Sequence, residues 1–173
     1  MQLVMRQMSG LGNQMFQYAA ALYFGQRYDA EISIAIDPDL KAESFGSPRP
    51  FQLGLFQISA PASRSRWYQE LFANWNPRLE SLSSFARQVC GVRLVNQPEW
   101  RPYLPDFPFS DRPRAVYLRG YWQTARYAEV IPEIVRRELT LKAPPAGRNL
   151  EVLQAIARSA CPVSLHMRRG DYT

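Results

Sequence analysis

Histidine occurs once, as His166, and cysteine twice, as Cys90 and Cys161. One histidine cannot supply the two or three ligands that catalytic zinc usually takes, so no metal is expected. Two distant cysteines without CxxC spacing exclude a metal knuckle, a redox dithiol and a disulfide framework, leaving two free thiols as the expectation. Lysine is nearly missing as well: Lys41 and Lys142 are the only two, so 21 − 2 leaves 19 arginines. The planar guanidinium fork of arginine matches phosphate geometry. No apolar run approaches the roughly 18 residues of a membrane span. The segment Met1-Gln2-Leu3-Val4-Met5-Arg6-Gln7-Met8 is too short and too polar for a signal sequence. A cytoplasmic protein is expected, with peripheral association at the inner membrane face left open.

What is present suits one folded core rather than disorder: 173 residues, 46% hydrophobic and 21% charged. The net charge of +6 and a pI near 9.6 favour anionic partners. Both signs are scattered along the chain, and no basic stripe is interleaved with aromatics. A small phosphate-bearing ligand therefore fits better than nucleic acid. Nothing in the sequence sets an oligomeric state.

The pattern along the chain is that of an α/β protein. Leu3 to Met8 reads as a strand, Ser9-Gly10-Leu11-Gly12-Asn13-Gln14 as a turn, and Met15 to Tyr28 as a helix apolar on most sides. Isoleucine at alternate positions from Glu31 to Asp37 gives a second strand, completing a βαβ unit, and Asp37-Pro38 ends it. A loop follows to Pro50, and Phe51 to Ile58 is either a strand or an apolar segment capping the sheet. Two short helices are expected between Arg64 and Cys90, interrupted at Asn76-Pro77. Val92 to Asn96 is a candidate strand. Gln97 to Pro113, with five prolines and the aromatics Trp100, Tyr103, Phe107 and Phe109, is a surface loop of the kind that borders sites. Ala115 to Tyr121 reads as a further strand. An amphipathic helix capped by Thr124 should then place Tyr127, Val130, Ile131, Ile134, Val135 and Leu139 on one face. After a linker at Ala143-Pro144-Pro145-Ala146-Gly147, a short helix around Leu150 to Ala157 precedes a last buried strand from Val163. That strand runs into His166-Met167-Arg168-Arg169-Gly170-Asp171-Tyr172.

Ligands in open α/β sheets bind beyond the carboxyl ends of strands, and strand alternation puts His166 and Arg168 on one face. Arg168 is thereby the primary ligand candidate, with Arg169 and Asp171 as a local ion pair that would set the turn. Gly10-Leu11-Gly12 between a strand and a helix invites a dinucleotide-binding reading, as in nicotinamide oxidoreductases. Met15 stands where the third glycine of that fingerprint belongs, which opposes close packing of helix on strand. Asn13 and Gln14 either cap the helix or face a ligand.

Two stretches together resemble a known family. Ser9-Gly10-Leu11-Gly12-Asn13-Gln14-Met15-Phe16-Gln17-Tyr18 and His166 to Tyr172 are similar to the GLGNQMFQYA and HxRRGDY motifs of the bacterial α-1,2-fucosyltransferases, glycosyltransferase family 11. Gly120-Tyr121-Trp122-Gln123, with Tyr127, resembles the GYWQ segment of that family, and Phe51-Gln52-Leu53 is a weaker match. The resemblance implies inverting transfer of L-fucose from GDP-fucose to a galactoside hydroxyl, without a metal or other cofactor. It also implies a GT-B type fold, with residues 1–160 as an amino-terminal Rossmann-like acceptor-side domain and 161–173 opening a donor-binding domain. The later donor-binding segments have no counterpart here, so the chain alone is expected to be inactive. A carbohydrate- or nucleotide-binding fragment without turnover is the alternative.

By the same resemblance Arg168 and Asn13 are catalytic, Arg168 stabilising the leaving diphosphate and Asn13 facing it across the cleft. His166, Arg168, Arg169, Gly12 and Asp171 would contact GDP-fucose. A displacement of this kind needs a general base. Asp171 is one candidate, although a structural partner for the arginines is the preferred role for it.

Overall fold

A computed structural model describes residues 1–36, 50–64, 72, 80–97 and 103–165. Two compact units emerge, Met1–Thr140 and Leu141–Thr173. The first is the expected α/β architecture. Strands β1 (Gln2–Arg6), β2 (Glu31–Ile36), β3 (Ala62–Arg64), β4 (Val92–Asn96) and β5 (Ala115–Arg119) form one sheet in the order β3-β2-β1-β5-β4. Every neighbouring pair is parallel, with Leu3 beside Ile32 on one side and beside Val116 on the other.

A parallel sheet buries both faces, and alternation along the strands sorts the side chains accordingly. Leu3, Met5, Val116 and Leu118 join one core, shared with helix α1 (Leu11–Tyr28), whose Tyr18, Ala20, Ala21, Leu22 and Phe24 are buried against them. Val4, Ala115 and Tyr117 face the other way, onto Phe72 and helix α2 (Glu80–Val89). Burying a leucine- or phenylalanine-sized side chain contributes about 1.5–3 kcal/mol, so the alternation fixes which way each strand faces.

Several expectations are corrected. Helix α1 starts at Leu11 rather than Met15, so Gly12 and Asn13 belong to its first turn; Gly10 is the N-cap and Gln14 N–H already bonds to the Gly10 carbonyl at 3.1 Å. Of the two readings of the segment after Pro50, strand or apolar cap, the structure shows the cap. The segment makes a 3-10 turn, Leu53–Leu55, with Leu53 and Phe56 buried as a cap on the first core. The amphipathic helix expected after Thr124 is two helices, α3 (Arg126–Val130) and α4 (Pro132–Glu138). Pro132 has no N–H to continue the first helix and instead opens the second, a position proline favours. Val130 is consequently 59% exposed. Thr124 contributes only a 3.4 Å contact from the Arg126 N–H, and the N-cap is Ala125.

The described part of the proline-rich loop packs inward. Phe107 is buried and stacks on Phe24 at 4.5 Å and on Tyr28 at 4.4 Å, while the Tyr23 and Tyr127 hydroxyls bond to the backbone of Pro105 and Leu104. Asp37, the loop that follows it, the first of the two helices expected after Arg64, and Trp100 lie outside the described residues.

The second unit holds helix α5 (Arg148–Arg158), with no buried residue. The expected final strand is not seen up to Leu165; Val163 and Leu165 are 89% and 86% exposed. Cys90 and Cys161 are exposed free thiols. Among the described residues no helix is long and apolar enough to cross a membrane.

Candidate functional site

Strand order decides where a ligand can enter. The chain moves outward from β1 through β2 to β3, then resumes at the far edge with β4 and returns through β5 to lie beside β1. The reversal falls between β1 and β5, and the crevice beyond their carboxyl ends is where open α/β sheets bind ligands.

Two segments line that crevice. The first leaves β1 through Gln7 to Gly10 and enters α1. Ser9 takes a positive φ of 60°, uncommon for a residue with a side chain. Two fully buried glutamines hold this turn. The Gln17 Oε1 accepts from Met8 N–H at 3.0 Å and its Nε2 donates to the Met8 carbonyl at 3.2 Å. The Gln14 Nε2 donates to the carbonyls of Ser9 and Pro50 at 2.8 and 2.9 Å, and its Oε1 accepts from Gln52 N–H at 2.9 Å. Both amides are therefore spent on backbone, and Gln14 is a structural residue rather than a ligand. Asn13 and Gly12, one and two positions earlier, face outward. Gly12 has no atom within 4 Å of where a Cβ would stand. The first turn of α1 carries neither an acidic residue nor a side-chain cap, so its leading amides are open to an acceptor.

The second segment leaves β5 at Arg119 and turns sharply through Gly120 to Thr124. Gly120 has φ 141° and Trp122 has φ 55°. A Cβ on Gly120 would stand 2.6 Å from Gln97 Cβ, so no larger residue fits there. The Trp122 ring is 1% exposed, wedged against Phe24 and Tyr127. Gln97, directly after β4, braces the turn: its N–H donates to the Arg119 carbonyl at 2.9 Å, and its Oε1 accepts from Trp122 N–H at 2.5 Å. The segments meet at the surface, where Gln123 Nε2 donates to Asn13 Oδ1 at 2.5 Å.

Positive charge flanks the crevice on the β4 side. Burial holds the Arg119 guanidinium below its ordinary pKa; Glu80 opposes the shift, and the charges of Arg6 and Arg87 add to it. The Arg119 Nε donates to Asn96 Oδ1 at 2.5 Å. Arg87 is itself paired with Glu80 at 2.5 Å, which offsets its charge.

Of the residues singled out by sequence, Asn13 and Gly12 lie together at this crevice. His166, Arg168, Arg169 and Asp171 lie outside the described residues. Met15, at the third-glycine position of the dinucleotide fingerprint, packs its side chain against the first core. Three glutamines escaped the sequence reading as site-forming residues: Gln17, Gln97 and Gln123. Gln17 had a usable signal, a polar residue directly before the apolar run Tyr18 to Phe24 of a helix apolar on most sides. Gln97 had none beyond its place after a strand.

Two curated proteins of Escherichia coli resemble the chain. An alpha-1,2-colitosyltransferase is 29% identical over 174 residues, covering 98% of this chain and 55% of the relative. The O-antigen biosynthesis glycosyltransferase WbnK is 28% identical over 178 residues, covering 94% of this chain and 57% of the relative. The chain is a distant homologue of glycosyltransferases. It spans about half the length of these relatives. No protein-family model and no solved structure matches it.

Proposed function

We propose that the chain is the acceptor-side half of an α-1,2-glycosyltransferase that moves L-fucose, or a closely related deoxy sugar, from a GDP-linked donor to a galactoside hydroxyl of an O-antigen-type glycan. The observation that carries this reading is the contact between Asn13 and Gln123. It joins two of the stretches that resemble the fucosyltransferases, at the position where the sheet topology favours a ligand. The names of the two relatives support the same chemistry: one transfers colitose in α-1,2 linkage, the other a sugar in O-antigen biosynthesis. Colitose is 3-deoxy-L-fucose, so the two candidate donors differ by one ring hydroxyl.

Transfer from a β-linked nucleotide sugar to an α-linked product is a single inverting displacement. The acceptor oxygen forms its bond to the anomeric carbon and gives up its proton, while the bond to the GDP oxygen breaks on the opposite face. Charge accumulates on the departing diphosphate. A bidentate arginine stabilises it most where water is excluded. Arg168 takes that role, with Arg169 in support and His166 on the nucleotide. Those assignments rest on the resemblance of His166 to Tyr172.

The experiment is a transfer assay on the protein expressed from its complete reading frame, with GDP-fucose and GDP-colitose as donors and lactose as acceptor, followed by linkage analysis. An α-1,2-linked product supports the reading. Absence of transfer from either donor to any β-galactoside overturns it.

A further inference from the structure

The contact between Asn13 and Gln123 uses one hydrogen-bonding group of each amide and leaves two in reach of solvent. Asn13 Oδ1 is occupied as acceptor and Gln123 Nε2 as donor. That leaves the Asn13 Nδ2 donor and the Gln123 Oε1 acceptor on two amides joined by a single bond, and neither amide makes another hydrogen bond to a described residue. A donor next to an acceptor complements a pair of neighbouring hydroxyls, each of which both gives and accepts. It suits a phosphate poorly, since phosphate oxygens only accept and would face the Gln123 carbonyl oxygen.

We propose that Asn13 and Gln123 form the subsite that grips the acceptor sugar through its O3 and O4 hydroxyls, and that Gln97 is the residue that positions it. This rests on the acceptor-side reading of the chain. The choice of diol follows from the reaction. The O2 hydroxyl must stay free to attack the donor, so the pair held by the amides is the neighbouring one. The axial O4 of galactose then separates it from glucose, in which O4 is equatorial.

Gln97 acts without touching the sugar. Its Oε1 holds the Trp122 N–H, its Cβ closes the space over Gly120, and the buried Trp122 ring anchors the same turn one residue before Gln123. Without that brace the two positive φ angles of the turn lose an anchor, and Gln123 no longer stands opposite Asn13.

Ligand-observed NMR titration of this chain with methyl β-galactoside, its 2-deoxy and 4-deoxy analogues and methyl β-glucoside tests the proposal. The 2-deoxy sugar is expected to bind as the parent does. The 4-deoxy sugar and the glucoside should bind roughly five- to tenfold more weakly, the loss of about one hydrogen bond. Gln123→Ala and Gln97→Leu should weaken galactoside binding to a similar degree. Gln97→Glu, which keeps an oxygen for Trp122 N–H, should restore it, and Gln123→Ala should leave the thermal midpoint unchanged. Equal binding of galactoside and glucoside, or galactoside binding indifferent to Gln123→Ala, overturns the subsite, as does failure of the wild-type chain to bind any of the sugars. The acceptor-side reading stands or falls separately, on the transfer assay.

Discussion

The Tyr18 hydroxyl donates to the buried Glu138 Oε2 at 2.8 Å, tying α1 to the end of α4. The same oxygen accepts from Ser59 N–H at 2.6 Å, so one carboxylate joins three separate parts of the first unit. Burial and the bond to Glu138 push the Tyr18 pKa up to about 12, so the hydroxyl stays a donor across the ordinary pH range.

This arrangement makes stability acid-sensitive. Burial alone would raise the Glu138 pKa, but the Ser59 N–H and the Tyr18 hydroxyl outweigh it, and the net shift is downward. A carboxylate whose folded pKa lies below its unfolded one stabilises the fold above the unfolded value, about 4.3 for glutamate, and loses that contribution as pH falls through the folded one. Denaturant unfolding of wild type should therefore weaken below about pH 4.5, and Glu138→Gln should remove part of that slope. At pH 7, Glu138→Ala should cost about 1–3 kcal/mol, since the buried Tyr18 hydroxyl and the partly buried Ser59 N–H lose their acceptor.

Gln17 is predicted to matter for folding and not for recognition. Replacing it by leucine strands both the N–H and the carbonyl of Met8 in the interior. A loss of about 2–3 kcal/mol is expected from two unmade buried hydrogen bonds, read as a lowered urea midpoint. An unchanged midpoint would show that the Met8 turn does not depend on the amide.

Two glycines should respond in opposite directions. Gly120→Ala places a Cβ against Gln97 at a φ of 141°, and a loss of about 2–4 kcal/mol is expected. Gly12→Ala meets open space in the first turn of a helix. It should hold stability or raise it by about 0.5–1 kcal/mol. Calorimetric melting of both variants checks the contrast.

Arg168→Ala, made in the complete reading frame, should reduce transfer at least ~100-fold if the guanidinium stabilises the leaving diphosphate, the scale seen on deleting one transition-state donor. Donor-saturated initial rates measure it. Full activity in that variant would remove Arg168 from the mechanism.

Some of the site could be read directly from residue order. A strand, a glycine turn and a helix placed Gly12 and Asn13 at a strand end, and the resemblance of three stretches pointed to sugar transfer. The start of α1 was misjudged because Gly10, Gly12 and Asn13 have low helix propensity, a preference overridden here by the Gln14 and Gln17 bonds that fasten the first turns. The break at Ile131 was legible in Pro132, yet the apolar period running through it argued for one helix.

The sequence by itself placed β1, α1, β2, β4 and β5 to within a few residues and showed which sides of them are apolar, because those patterns depend on neighbours a few residues away; it missed the short β3 and ran α3 and α4 together. It could not assign the two amides at the start of α1. Gln14 turned inward to bond Pro50 and Gln52, while Asn13 met Gln123, 110 residues distant in the chain. That meeting exists only because β5 lies against β1 instead of at the sheet edge. Strand order is a long-range choice, made by packing two cores at once, and it brought the Gly12-Asn13 turn and the Gly120 to Gln123 turn to one crevice.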